Sequence, residues 1–160
     1  MKRTAGRDIK VANVNHSYGL NVRHIEAMVS QVLKALKKER TSEVDIIFMG
    51  DASIKKLNKR YKGRDIPTDV LSFGIDGREF MRKRVLGEIF ISLDTARRNA
   101  KLFGVAFEDE IMRCVIHGIL HLFGYDDGTR DEKDRMWHKQ EGLLKELCNR
   151  ENLSKVLTRR

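Results

Sequence analysis

Residues 107–127 read FEDEIMRCVIHGILHLFGYDD. Positions 107–123 hold the most apolar run at helical spacing, and Gly124 closes it. The segment therefore predicts a buried helix ending in a sharp turn. His117 and His121 are four apart, so their side chains leave one face of that helix, one turn from each other. Two neutral imidazoles among Val115, Ile116, Ile119, Leu120, Leu122 and Phe123 need a common partner, and a divalent cation supplies it. The turn at Gly124 brings a third donor within reach: Asp126 five residues after His121 or Asp127 six after, with His138 as the substitute if neither points back. Three protein donors leave one position open for water, the mark of a catalytic rather than a structural site. Gly118 stands where a helical H-E-x-x-H zinc protease carries its general-base Glu, so peptidase chemistry lacks its base. A glycine in mid-helix costs about 1 kcal/mol relative to alanine, which implies that another backbone or a substrate passes close to it.

Upstream of this helix the pattern changes to strands. Residues 10–15, 43–49 (EVDIIFM), 70–73 (VLSF) and 87–92 (GEIFIS) predict four short strands. Residues 21–39, 51–60, 93–103 and 131–149 predict four further helices, with Asn21 and Asp51 as N-caps of the first two. Gly63 and Pro67 break 61–69 into a loop, 74–84 reads as a flexible basic connection, and the tail beyond about residue 150 is expected to fray. Strands lie mostly in the first two thirds and helices dominate the end. The fold class expected is α+β, a single small mixed sheet of about four strands packed with about five helices, in one domain over residues 1–160.

The chain has 160 residues, 41% hydrophobic, enough for a core without disulfide or metal staples. No run approaches the roughly 18 apolar residues of a membrane span, and the opening MKRTAGRD has no apolar leader segment. Cys114 and Cys148 are too few for a disulfide framework and predict reduced thiols in a cytoplasmic protein. The net charge is +9, and all of the excess lies before residue 106. Lys55, Lys56, Lys59, Arg60, Lys62 and Arg64 fall in ten residues without an acid, and Arg78, Arg82, Lys83 and Arg84 form a second cluster. Such patches attract polyanions, RNA or DNA above all, although a merely solvated face has the same composition.

Other residues have plainer readings. His16, His24 and His138 lack a ligand pattern. Cys114, three before His117, reads as a buried thiol. Met136 and Trp137 read as helix-packing residues rather than a platform for bases, and Glu88 as either a solvated strand residue or an acceptor orienting a ligand histidine. Thr68 and Ser72 cap local turns or contact phosphate.

Three segments in register, LNKRYKGRDIPTDVLSF (57–73), LGEIFIS (86–92) and HGILHLFGYDD (117–127), resemble the YbeY family of bacterial metal-dependent endoribonucleases, with the likeness running from about residue 43 to 145. The resemblance implies a small sheet with a zincin-like metal-binding helix. It implies a single-strand-specific RNase acting in 3′-end maturation of small-subunit (16S) ribosomal RNA and in ribosome quality control. Its partners would be single-stranded rRNA and the small subunit, with neither DNA nor a membrane. It implies one divalent ion, usually zinc, on His117, His121 and the position of Asp127, with Lys62 at the family's basic catalytic position. Lys55, Lys59, Arg60, Arg64, Arg82, Lys83 and Arg84 would then guide the RNA backbone.

Two departures stand out. The family's third ligand is a histidine where this chain has Asp127, a harder donor that also suits Mn²⁺, Fe²⁺ or Ni²⁺. The family's arginine after the tyrosine is Lys62, which keeps the charge and loses the planar fork that grips phosphate, a loss Arg64 is placed to offset. Two other classes share part of this pattern: a metallohydrolase of another substrate, a peptidase included, and a non-catalytic RNA- or ribosome-binding module with a structural metal.

Overall fold

The computed structural model describes residues 9–36, 42–74, 79–80 and 83–158. The elements run β1 (Ile9–Asn13), α1 (Val22–Ala35), β2 (Ser42–Met49), α2 (Asp51–Lys62), β3 (Val70–Gly74), β4 (Glu79–Phe80), β5 (Lys83–Ser92), α3 (Leu93–Phe103), α4 (Phe107–Leu122), α5 (Arg130–Arg150) and a 3₁₀ turn at Leu153–Val156. The sheet order is β1-β2-β5-β3. β1, β2 and β5 are parallel, whereas β3 and the two-residue β4 run antiparallel to β5. The four longer strands and five helices make the α+β architecture that the sequence implies.

The alternation of side chains along each strand sorts the helices into layers. Val44, Ile46 and Phe48 of β2 and Ile89 and Ile91 of β5 point into the main core, which is closed by α1, α3, α4 and α5. Their neighbours Ile47, Met49, Phe90, Leu71 and Phe73 point to the opposite face, where Ile54 and Leu57 of α2 cover them. α4 lies centrally in the main core, and Ile111, Met112, Val115, Ile116, Ile119 and Leu120 are fully buried. Each such side chain contributes on the order of 1.5–3 kcal/mol.

Gly118 explains how α4 sits so close to the sheet. A Cβ there would stand 2.6 Å from Ile89 Cγ2 and 3.1 Å from Ser72 Oγ, and that hydroxyl donates to the Gly118 carbonyl at 3.1 Å. The close neighbour implied by the mid-helix glycine is thus the sheet, not a substrate. Ser72 is spent on this bond rather than on a phosphate.

Several boundaries differ from expectation. Asp51 does not cap α2. The N-cap is Gly50, the Asp51 N–H donates to Asp94 Oδ2 across the sheet end, and the Asp51 carboxylate accepts from Ser92 Oγ (2.7 Å), Thr95 Oγ1 (2.6 Å) and Arg98 (2.7 Å). Burial alone would raise the pKa of Asp51, but these bonds outweigh it and hold the group below the usual carboxylate value. α2 also continues through Tyr61 and Lys62, so these two are helical. The supposed basic connection contains β4 and the start of β5. Arg78 and Arg82 lie outside the described residues, as do the side chains of Lys83 and Arg84. The tail does not fray through residue 158. Leu153 and Val156 are buried, Asn21 N–H donates to the Val156 carbonyl, and Leu157 bridges to Leu20.

Gly118→Ala inserts a methyl against a β-branched side chain that cannot turn away. Overpacking of about 1–3 kcal/mol outweighs the roughly 1 kcal/mol gained in helix propensity. The variant should unfold at lower denaturant concentration than the parent, with an unchanged slope.

Candidate metal centre

His117 and His121 are carried on the last two turns of α4, half-buried, with their Nε2 atoms 3.0 Å apart. Each ring is fixed from its other nitrogen. His117 Nδ1 lies 2.8 Å from Gln140 Oε1, and His121 Nδ1 lies 3.1 Å from the Tyr125 carbonyl. Both oxygens are acceptors only, so both Nδ1 atoms donate. The orientation of the Gln140 amide is set by its own N–H, which points to Glu141 Oε1. Two Nε2 lone pairs therefore face each other. Burial first, and the neighbouring His117 second, pull the pKa of His121 below its ordinary value despite the opposing pull of Asp127. The shift favours the neutral form of the His121 ring.

Gly124 makes the turn that completes this arrangement. Its φ of +92° takes the chain into the left-handed region, which lets Tyr125 N–H bond back to Leu120 and its carbonyl reach His121. Beyond it, Asp127 Oδ2 lies 3.7 Å from His121 Nε2. The three ligand atoms of His117, His121 and Asp127 all fall within 4.8 Å of one another. Nitrogen ligands about 2.0–2.1 Å from a tetrahedral ion stand roughly 3.3 Å apart, close to the observed pair. Half-exposed Asp127 has the freedom to swing in. The donor set thus fits a divalent ion.

The alternatives to Asp127 are engaged elsewhere. Asp126 Oδ1 accepts the Asp127 N–H, and exposed His138 packs its ring on the edge of Trp137. Glu88 is exposed on β5, while the orienting role falls to Gln140 and the Tyr125 carbonyl. Gln140 escaped sequence reasoning, yet it left a signal: it is the polar member of the inward stripe Met136, Gln140, Leu143, Leu144 and Leu147 on α5. Trp137 is not a packing residue, since it is exposed beside buried Met136.

The basic residues sit on a different element from the candidate ligands. Lys55, Lys59, Arg60 and Lys62 are exposed on α2, which covers the sheet face opposite α4, and among the described residues none of them bonds to the His–His–Asp group. Lys59 lies 3.9 Å from Asp65. Gly63, left-handed at φ +70°, ends α2 and starts the loop that carries Arg64 and leads to Asp69. Asp69 and His117 then line one cavity of about 410 Å³ between α4 and α5.

Comparison with known proteins decides the family. The family model described as Endoribonuclease YbeY matches residues 10–148. The chain belongs to the YbeY family. It is 39% identical over 128 residues to a protein of Desulforamulus reducens named Endoribonuclease YbeY, covering 77% of this chain and 84% of the relative. A protein of the same name from Halalkalibacterium halodurans is 30% identical over 151 residues, covering 86% and 94%. The solution structure of TM1509 from Thermotoga maritima is similar with a TM-score of 0.63 at 30% identity, over 89% of this chain and 90% of that one.

Two outcomes are expected of this geometry. Gln140→Ala frees the His117 ring and should weaken zinc binding about 10–100-fold in a competition titration with a chromophoric chelator. In metal-free protein, the unfolded chain binds a proton at His121 near pH 6.5 that the folded state refuses, so stability is full above that pH and falls below it. The thermal midpoint should drop between about pH 7.5 and 5.5, and His121→Asn should shrink the drop.

Proposed function

We propose that this chain is a metal-dependent endoribonuclease of single-stranded RNA, acting in 3′-end maturation of small-subunit rRNA and in ribosome quality control in the cytoplasm. The observation that carries the reading is the pair of facing Nε2 atoms, 3.0 Å apart, with both Nδ1 atoms already committed. The endoribonuclease names of the family's relatives supply the substrate class. The ligands we assign are His117, His121 and Asp127, and the ion is zinc, with Mn²⁺, Fe²⁺ or Ni²⁺ admitted by the carboxylate. When bound, the cation supplies Lewis acidity toward a phosphodiester oxygen and the attacking hydroxyl.

The rest of the chemistry belongs to the chain. Gln140 and the Tyr125 carbonyl hold the imidazoles in one tautomer and orientation. Lys62, exposed at the end of α2, is the residue we propose to neutralise charge that develops on the phosphorane, with Arg64 beside it. Lys55, Lys59 and Arg60, exposed on α2, guide the RNA backbone. No helix among the described residues is long and apolar enough to cross a membrane. Peptidase chemistry is disfavoured on local grounds: position 118 abuts Ile89, leaving no space for a general-base carboxylate.

His121→Ala should lose its metal by elemental analysis and lose cleavage of single-stranded RNA together, and the parent should leave casein intact. A metal-free variant that cuts RNA at the parent rate overturns the reading. Lys62→Ala should lower kcat about 10²-fold with metal content unchanged, and Lys62→Arg should restore it.

A further inference from the structure

The cavity between α4 and α5 has chemistry that the cleavage centre does not use. His117 forms one end of it, so it is continuous with the proposed metal site. Its rim carries Trp137, 57% exposed, and Phe103, 64% exposed. Both are large aromatic surfaces left in water at the mouth of a concave site. Besides His117, Gln140 and Cys114, its polar lining is Asp69, Glu110, Glu141 and Arg113. Arg113 bonds Glu110 at 2.9 Å and both oxygens of Glu141 at 2.7 and 3.3 Å, tying α4 to α5 across the cavity. Asp69 differs. Its Oδ1 accepts from the Val70 N–H and the Thr68 hydroxyl, while among the described residues its Oδ2 has no such bond.

This lining selects its occupant. Three carboxylates against one guanidinium repel a phosphate. A cation is opposed by the guanidinium of Arg113 inside the same cluster, and burial pushes the pKa of the Cys114 thiol up, which keeps it a poor ligand. A planar, neutral group with N–H donors along one edge suits a carboxylate in a cavity that an exposed indole also lines. Bases of single-stranded RNA are read in this way, by stacking and by their pairing edges. Guanine alone presents two adjacent donors, N1–H and N2–H, on that edge. Uracil has a single N3–H flanked by two carbonyl oxygens that would face the carboxylates, and adenine and cytosine offer one donor beside an acceptor nitrogen.

Resting on the ribonuclease reading above, we propose that the α4–α5 cavity seats a guanine base of the RNA substrate next to the cleaved linkage, stacked on Trp137 and hydrogen-bonded through N1–H and N2–H to the two carboxylate oxygens of Asp69. The subsite turns a sequence-blind metal centre into one with a base preference.

Trp137 is the sole tryptophan, so its fluorescence reports the site directly. Chelator-treated full-length protein, titrated with the four nucleoside 5′-monophosphates, should show saturable quenching by GMP, about tenfold tighter or more than by the others. Asp69→Asn should remove that preference, and the metal-loaded parent should cut mixed-sequence RNA preferentially beside guanine. Trp137→Ala should raise KM about fivefold or more with kcat and metal content retained. Equal quenching by all four nucleotides, or none, overturns the proposal. So does a zinc equivalent retained by His121→Ala and lost on Asp69→Asn, which would make the cluster of Asp69, Glu110 and Cys114 a cation site. GMP-selective quenching in a protein whose loaded form cuts no RNA would overturn the ribonuclease reading and leave the base site standing.

Discussion

Two lone pairs pointed at each other across 3.0 Å are the constraint around which this structure is organised. Neutral imidazoles separate in the absence of an ion unless something holds them. Here each is held from behind, His117 by a buried glutamine on another helix and His121 by a carbonyl of its own C-terminal turn. The site is preorganised by groups that never touch the ion, so its geometry depends on the packing of α4 against α5 and on the left-handed turn at Gly124. Both supports trace to backbone placement, and both would be lost by changes remote from the ligands.

The sheet supplies the second level of support. Gly118 lets α4 approach β3 and β5 until Ser72 bonds its carbonyl, which fixes the helix along its axis and in rotation. The same absence of a side chain leaves no space for a base in the manner of a zinc protease. One glycine thus sets the height of the metal ligands over the sheet and removes a reaction class from that position.

Much of this was legible in the residues. The four-residue histidine spacing, the closing glycine and the downstream aspartates predicted the donor set, and the run of apolar positions 107–123 placed it on the central helix. Asn21 capped α1 as expected, with its side chain accepting from His24 N–H. Asp51 misled because a carboxylate before a helix reads as a cap, whereas tertiary partners on α3 claimed it. The basic run on α2 gave the charge without the face: which side of a sheet a helix covers depends on strand register, and register appears only when Ile54 and Leu57 meet Met49 and Leu71. Gln140 was unreadable as a partner of His117 because 23 residues and a turn intervene. Trp137 was misassigned because its neighbour Met136 takes the inward position.

The closing segment has a consequence for how the molecule is made. Val156 receives the Asn21 N–H and Thr158 donates to Gly19, so the last turn seals the loop that launches the first helix. Residues 19–21 and 156–158 can meet only once both have been synthesised, so this contact is a late, non-local one. Until it forms, the surface that Leu153 and Val156 cover stays exposed.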